Sequence, residues 1–212
     1  MNLEFSDWDQ DVPPEGYEEY QTLINALKRK NNNEFGLLFV ECTPVEAEKV
    51  FSRILYDIPE KKLEILRLVE PINTLYERVL KLYINKQFDI LFIKGLEYSL
   101  YKYEKEKFGE ITEAHSHDLS GVPPILDHLN KLRESFRDNI PITFVFLGRP
   151  FLIDYFIHRA QDFFDWKSSN VLKLTSVPDL DQEESPSNSV RNSQVSRSPL
   201  TDKYCFPCDK LK

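Results

Sequence analysis

Cysteine is scarce in this chain of 212 residues, which contains only three. Cys42 lies far along the sequence from the pair Cys205 and Cys208. Three cysteines at such a spacing cannot form the disulfide framework of a small secreted protein. The fold must therefore depend on a hydrophobic core, and the chain is long enough to bury one.

Long apolar runs are also lacking, since no stretch approaches the ~20 residues that a membrane-spanning helix needs. The first seven residues, Met-Asn-Leu-Glu-Phe-Ser-Asp, contain neither the basic nor the apolar region of a signal peptide. We therefore expect a cytoplasmic protein that has no membrane partner.

Positive charge is in deficit, because 27 Lys and Arg residues stand against 35 Asp and Glu residues, a formal net charge of −8. This balance gives no general attraction to the phosphates of nucleic acids or to anionic lipids. Apolar residues nevertheless make up 41% of the chain and aromatic residues 13%, as in an ordinary folded domain. The composition predicts a folded protein whose partners are not nucleic acids.

Five short apolar runs alternate with segments of helical periodicity. The runs lie at residues 37–40, 63–68, 88–93, 142–147 and 171–174, and the helical segments at residues 15–30, 50–58, 72–83, 125–136 and 151–164. Apolar runs without period-2 alternation indicate strands buried on both faces, and their alternation with helices indicates right-handed crossovers in a parallel sheet. The sequence predicts an α/β fold, a three-layer sandwich around a mainly parallel five-stranded sheet.

Composition divides the chain into three parts. Residues 1–14 are an acidic N-terminal arm, residues 15–175 form the α/β domain, and residues 176–212 are rich in Ser, Pro, Asn and Asp. The last part is predicted to be a disordered tail, because such a composition buries too little apolar surface to fold. It contains Cys205-Phe206-Pro207-Cys208, a spacing that suits zinc or redox chemistry only beside a second ligand pair or in a βαβ unit.

The residues after the first strand lack the signals of a phosphate-binding loop. Such a loop needs glycines, whose backbone N–H groups wrap the phosphates, followed by Lys and Ser or Thr. Instead, Thr43 suits the N-cap of a helix, Pro44 suits its first position, and Glu46 completes a capping box. This pattern predicts that the helix satisfies its own first N–H groups without a phosphate.

The third strand is followed by Lys94, where a nucleotide hydrolase of this architecture would carry an acidic residue. In such enzymes an Asp at this strand end holds Mg²⁺, often beside a Glu that orients the attacking water. An ammonium group cannot ligate Mg²⁺ and repels it. Glu97, three positions further on, is predicted to be a solvated residue at a helix start. The sequence thus predicts a degenerate nucleotide site.

Two segments carry a family resemblance. One is Phe-Ile-Lys-Gly-Leu-Glu-Tyr-Ser-Leu at residues 92–100, and the other is Ala-Gln-Asp-Phe-Phe-Asp-Trp-Lys-Ser at residues 160–168. With the order of strands and helices, they resemble the degenerate STAND-type NTPase-like domains of bacterial, often cyanobacterial, multidomain signalling proteins. Gln161, Phe164 and Lys167 depart from that group's Ala-Pro-Asp-Phe-Trp-x-Trp-Arg-Ser pattern.

This resemblance covers residues 15–175 and implies a P-loop-NTPase-like fold. It also implies a role as a switch or scaffold module. Active relatives keep a phosphate-binding loop, which this chain lacks.

His115 and His117, in a charged segment, are weak candidates for metal ligands, as are Cys205 and Cys208. Zinc takes three or four protein ligands in tetrahedral geometry, and adjacent loop residues alone rarely supply them. We therefore interpret the histidine segment as an exposed polar loop. No metal and no cofactor are predicted.

The leading hypothesis from the sequence is a non-catalytic NTPase-like scaffold or regulatory domain that acts through contacts with other proteins, in bacterial signalling or defence. An alternative is a nucleotide-dependent switch ATPase with a non-standard phosphate site, in which Lys49 and Arg149 contact phosphate. A third hypothesis is a metal-dependent hydrolase built on His115 and His117. The absence of Gly-Lys after the first strand favours the first hypothesis over the second.

Overall fold

The computed structural model describes residues 16–31, 34–118 and 120–174. The predicted arm at residues 1–14 and the predicted tail at residues 176–212, with Cys205 and Cys208, lie outside the described residues. In the described part, no helix has the length and apolar character needed to cross a membrane.

The strands are β1 (Gly36–Glu41), β2 (Leu63–Arg67), β3 (Ile90–Lys94), β4 (Thr143–Gly148) and β5 (Leu172–Lys173). The α-helices are α1 (Tyr17–Arg29), α2 (Pro44–Asp57), α3 (Tyr76–Asn85), α4 (Glu97–Phe108), α5 (Pro124–Asn139), α6 (Pro150–Arg159) and α7 (Gln161–Phe164), and a 3₁₀ turn spans His115–His117.

The five strands form one parallel sheet in the spatial order β2-β3-β4-β1-β5. Leu37 of β1 pairs with Phe144 of β4, and Phe92 of β3 pairs with Val145 on the other side of β4. These three central strands are buried along nearly their whole length. Burial on both faces explains why their sequences are apolar without alternation. The predicted α/β fold with a five-stranded parallel sheet is confirmed.

Successive side chains of each strand enter two separate apolar cores, because a strand points its residues alternately to opposite faces. Leu38 and Val40 of β1 pack with α1 and α2 on one face. Leu37 and Phe39 pack with α3 to α7 on the other face. The three layers follow from the connections, since β1 to β2 runs one way across the sheet and each later crossover runs the other way.

The segment predicted as one helix over residues 151–164 is two helices in the structure. Ala160 leaves the helical conformation, with φ −133° and ψ 43°, between α6 and α7. The side chain of Asn130 on α5 fixes this break, accepting a hydrogen bond from the Phe163 N–H at 3.0 Å and donating one to the Arg159 carbonyl at 3.4 Å. The helix therefore ends through a tertiary contact, at a position where no Pro or Gly marks an end.

Removing a ring from either core should weaken the fold strongly. Phe92 is 0% exposed and Phe144 is 1% exposed, and each contacts other aromatic rings. We expect Phe92→Ala and Phe144→Ala each to lower the free energy of unfolding by about 3–5 kcal/mol, measured by urea denaturation. Ile84→Ala is the control, since Ile84 is 71% exposed; its loss should stay within about 0.5 kcal/mol. A core variant that matches this control would contradict the assignment of the two cores.

Candidate functional site

The change in crossover direction places a pocket at the carboxyl edge of the sheet. The chain leaves β1 toward α2 on one face and leaves the neighbouring β4 toward α6 on the other face. Ligands of open parallel sheets bind in the crevice at such a reversal. A cavity of about 480 Å³ opens there. It is lined by Cys42, Thr43, Pro44, Ala47, Arg67, Leu68, Val69, Lys94, Gly95, Glu97, Tyr98, Tyr101, Leu147, Gly148 and Arg149.

The start of α2, on one wall of this pocket, is closed by its own side chains. The Thr43 Oγ1 accepts a hydrogen bond from the Glu46 N–H at 3.3 Å, and the Glu46 Oε2 accepts one from the Thr43 N–H at 2.7 Å. Pro44 at the first helical position has no N–H to offer. An anion at this helix start would have to displace the Glu46 carboxylate against its negative charge. The capping box predicted from the sequence is present.

Lys94, the last residue of β3, belongs to an ion cluster that joins three elements. Its Nζ lies 2.6 Å from the Glu48 Oε1 on α2. Arg67, which ends β2, donates to both oxygens of the same carboxylate, at 2.8 and 2.7 Å. The hydrogen bonds from Arg67 and Lys94 lower the pKa of Glu48 to about 2. The end of β3 therefore carries a cation held in an ion pair.

Glu97 begins α4, as predicted, but the prediction that it is solvated is wrong, because it is 8% exposed. Its Oε1 accepts a hydrogen bond from the Arg149 N–H at 3.1 Å. Gly148 allows this approach, since a Cβ there would lie 2.7 Å from that oxygen. Burial raises the pKa of Glu97, and hydrogen bonds from neighbouring backbone N–H groups offset part of this rise. A buried carboxyl of this kind can hold a proton and donate a hydrogen bond to a bound group.

Arg149 is fixed at the mouth of the pocket by two residues that the sequence analysis did not identify. Its Nη1 lies 3.0 Å from the Glu113 Oε1 and donates to the Tyr101 Oη at 3.3 Å. The Tyr101 hydroxyl donates to the same Glu113 oxygen at 2.9 Å, and its ring stacks on Phe151. Lys49, the other predicted phosphate contact, is exposed and does not line the pocket.

Cys42 lines the pocket but is not an activated nucleophile. The residue is 5% exposed, and burial raises the pKa of its thiol to about 12. A thiol with so high a pKa is almost entirely protonated at neutral pH. The described lining contains no histidine or serine.

The two histidines singled out from the sequence lie in the 3₁₀ turn, away from the pocket lining. The His115 ring stacks on Phe108 with 3.9 Å between centroids, and the His117 ring lies 4.0 Å from that of His158. Ser116 between them is buried, so the segment is a packed turn rather than a fully exposed loop. Among residues 16–31, 34–118 and 120–174, no three His, Cys, Asp or Glu side chains are grouped to hold a metal ion.

No protein-family model matches the chain, and no curated protein shows significant similarity to it. A functional assignment therefore rests on the geometry and chemistry of the pocket. The STAND-type resemblance rests on its two sequence segments and the order of elements.

The turn from β3 into α4 requires glycine for a steric reason that a matched pair of variants can isolate. Gly95 and Gly109 have nearly the same left-handed φ, +86° and +84°. A Cβ at Gly95 would overlap the Leu68 carbonyl oxygen, whereas a Cβ at Gly109 would meet no atom within 4 Å. Gly109→Ala should lower the free energy of unfolding by about 1 kcal/mol, the cost of a left-handed alanine. Gly95→Ala should cost at least about 2 kcal/mol more. Equal losses in urea denaturation would contradict the predicted overlap.

Two carboxylates of the site, Glu97 and Glu48, should affect the free energy of unfolding with opposite dependence on pH. Since the pKa of Glu97 is raised above its ordinary 4.5, the folded state binds its proton more tightly, and stability falls as the pH rises above 4.5. Glu97→Gln should therefore be more stable than the wild type at pH 7 and lose that advantage at pH 4.

The pKa of Glu48 is lowered instead, so its contribution is present above pH 4.5 and disappears as the pH falls toward 2. Glu48→Gln should be less stable than the wild type at pH 7, with a difference that narrows in acid. Urea unfolding across this pH range measures both variants. The same direction of change in both would contradict the assignment.

Proposed function

We propose that this chain is a non-catalytic NTPase-like domain that acts as a scaffold or regulatory module through contacts with other proteins. One observation supports the proposal: the protein's own side chains occupy the strand and helix ends at which a nucleotide hydrolase of this architecture would bind phosphate and Mg²⁺. Glu46 closes the start of α2, and Lys94 forms an ion pair with Glu48 at the end of β3. A nucleotide would have to break both contacts before it could bind.

The surface around the pocket supports a role in protein contacts. Val45, Val69 and Tyr98 are 68%, 81% and 48% exposed. Val69 and Tyr98 line the pocket, and Val45 lies next to the lining residue Pro44. Apolar side chains exposed around a concave site are typical of surfaces that bind another polypeptide. We therefore place the contact surface at this edge of the sheet.

The resemblance to STAND-type domains supports a cytoplasmic setting in bacterial signalling or defence. In that group the NTPase-like domain belongs to a larger signalling protein. A domain without a phosphate-binding loop would contribute a binding surface rather than hydrolysis.

A switch ATPase remains the second candidate, because the pocket lies at the crevice where parallel sheets bind ligands and Arg149 lines it. The Arg149 guanidinium is, however, already paired with Glu113. Lys49, its intended partner in holding phosphate, lies outside the lining. The geometry therefore favours the non-catalytic domain.

Calorimetric titration with Mg-ATP and Mg-GTP tests the proposal. We expect no binding with a Kd below about 1 mM, equivalent to less than about 4 kcal/mol of binding free energy. Lys94→Asp introduces a carboxylate at the end of β3 without supplying a phosphate-binding loop, and it should show no Mg²⁺-dependent ATP hydrolysis. Low-micromolar binding by the wild type, or turnover by Lys94→Asp, would overturn the proposal in favour of the switch ATPase.

A further inference from the structure

The Glu97 carboxyl lines the pocket from a buried position and has no cation as its partner. The residue is 8% exposed, and its Oε1 accepts a hydrogen bond from the Arg149 N–H at 3.1 Å. Among the described residues, no ammonium, guanidinium or imidazole nitrogen lies within 4 Å of this carboxyl. A buried carboxylate without a cationic partner lowers stability. A cation that enters the pocket would remove this cost.

Two cations of the lining, Lys94 and Arg149, already have carboxylate partners elsewhere. The Lys94 Nζ lies 2.6 Å from the Glu48 Oε1, and the Arg149 Nη1 lies 3.0 Å from the Glu113 Oε1. Each of these contacts is shorter than the 4 Å that separates Glu97 from any such nitrogen in the described part of the chain. Neither cation is therefore available to neutralise Glu97.

The charged groups at the pocket carry one more negative than positive charge when Glu97 is ionised. The positive side chains are Arg67, Lys94 and Arg149, and the negative ones are Glu46, Glu48, Glu97 and Glu113. Three positive and four negative charges leave a net charge of −1. A ligand with one positive charge therefore completes the balance, whereas an anion would increase the excess of negative charge.

The Cys42 thiol, which also lines the pocket, lies in the same negative field. Burial is the largest cause of its raised pKa, and the charges of Glu46 and Glu97 raise that pKa further. The Gly148 contact and the charge of Lys94 lower the pKa, but by less. A thiol resists ionisation where the surrounding potential is negative. The pocket interior therefore favours a positive charge over a negative one.

The rest of the lining suits an apolar body of about the size of one aromatic ring. The cavity of about 480 Å³ lies within the range of ordinary small-molecule sites. Ala47, Leu68 and Leu147 line it together with the rings of Tyr98 and Tyr101. Tyrosine rings also attract a cation that lies over their faces. The lining thus combines an apolar surface with one buried carboxylate.

We propose that the pocket binds a small organic cation, an amine or amidine on an apolar body, with the Glu97 carboxylate as its counter-ion. The inference rests on the proposed function, since it takes the pocket to be closed to nucleotide phosphate. The cationic group donates hydrogen bonds to the Glu97 carboxylate, which keeps its bond from the Arg149 N–H. The apolar body displaces water from Leu68 and Leu147.

Three probes of nearly equal shape test the preference for a cation. Benzamidine is positively charged at neutral pH, benzamide is neutral and benzoate is negatively charged. Titration of the ¹⁵N-labelled full chain, followed by the NMR shifts of its backbone amides, should give a Kd below about 1 mM for benzamidine. Benzamide and benzoate should bind at least about tenfold more weakly. The benzamidine shifts should be largest at the lining segments, residues 94–101 and 147–149.

A matched pair of variants tests the role of Glu97. Glu97→Gln keeps the size of the side chain and removes its charge. It should weaken benzamidine binding at least about tenfold, so that benzamidine and benzamide bind the variant within about threefold of each other. Glu106→Gln makes the same change in the same helix, at a side chain that is 67% exposed, and it should leave benzamidine binding unchanged.

Acetamidine tests the need for an apolar body. It carries the same cationic group as benzamidine but has a methyl group in place of the ring. It should bind at least about tenfold more weakly than benzamidine, because it buries much less apolar surface.

Three results would overturn the proposal of a cation site. They are binding of benzamide or benzoate as tight as that of benzamidine, an unchanged benzamidine Kd in Glu97→Gln, and benzamidine shifts that are absent at about 10 mM or confined to another surface. Equal affinity for acetamidine would overturn the assigned apolar body. If Glu97→Gln did not fold, the probe series on the wild-type chain would still decide the question. Calorimetric binding of Mg-ATP would instead refute the proposed function, so the two failures are distinguishable.

Discussion

The crossover from β1 to β2 is the constraint on which the rest of the structure depends. It carries the chain over β4 and β3 to the far edge of the sheet, and every later crossover returns in the opposite direction. Because crossovers between parallel strands are right-handed, the reversal puts α2 on one face and α3 to α7 on the other, and α1, which precedes β1, packs on the face of α2. The carboxyl ends of β1 and β4 lie side by side, and the chain leaves them toward opposite faces of the sheet. The pocket is the space between these two departing segments.

The polar groups at this crevice stabilise the protein by binding to one another. A phosphate site needs N–H groups without partners at a helix start and a cation free to meet the ligand, and such groups lower stability in the empty protein. Here the Glu46 carboxylate satisfies the Thr43 N–H, and Glu48 binds both Lys94 and Arg67. The same edge of the sheet that could hold a nucleotide is therefore closed by intramolecular contacts, and its remaining open surface is mostly apolar.

Local features of the sequence were sufficient to predict the sheet and part of the site. The apolar runs lie within about two residues of the observed strands, and in the central strands β1, β3 and β4 burial on both faces removes the alternation of apolar and polar residues. The capping box of Thr43 and Glu46 was also predictable, because it depends only on two residues three positions apart in the sequence. The features that the sequence did not predict depend on tertiary contacts. The break at Ala160 depends on Asn130 of another helix, and the charged segment of α4 shows too little amphipathic pattern for its bounds to be read.

The burial of Glu97 shows why site chemistry is harder to predict than fold. A glutamate at a helix start is usually solvated, and only the approach of Gly148 from β4 encloses it. The ion cluster likewise joins residues from α2, β2 and β3. One signal in the sequence could have indicated this cluster: Arg67 is a charged residue at the end of a strand. The carboxyl ends of parallel strands meet at one edge of the sheet, so charged residues at such ends come close together.

The charge balance of the pocket favours a ligand with few negative charges over a nucleotide. Its three cations, Arg67, Lys94 and Arg149, are paired with two carboxylates, Glu48 and Glu113. The Glu46 carboxylate at the start of α2 is a third nearby carboxylate, so the three cations leave no positive charge uncompensated. A triphosphate brings several negative charges and depends on Mg²⁺ and open N–H groups to neutralise them, neither of which this arrangement is built to hold. Apolar side chains such as Ala47, Leu68 and Leu147 line the interior and offer no group that binds phosphate. A triphosphate therefore matches the charges of this pocket poorly.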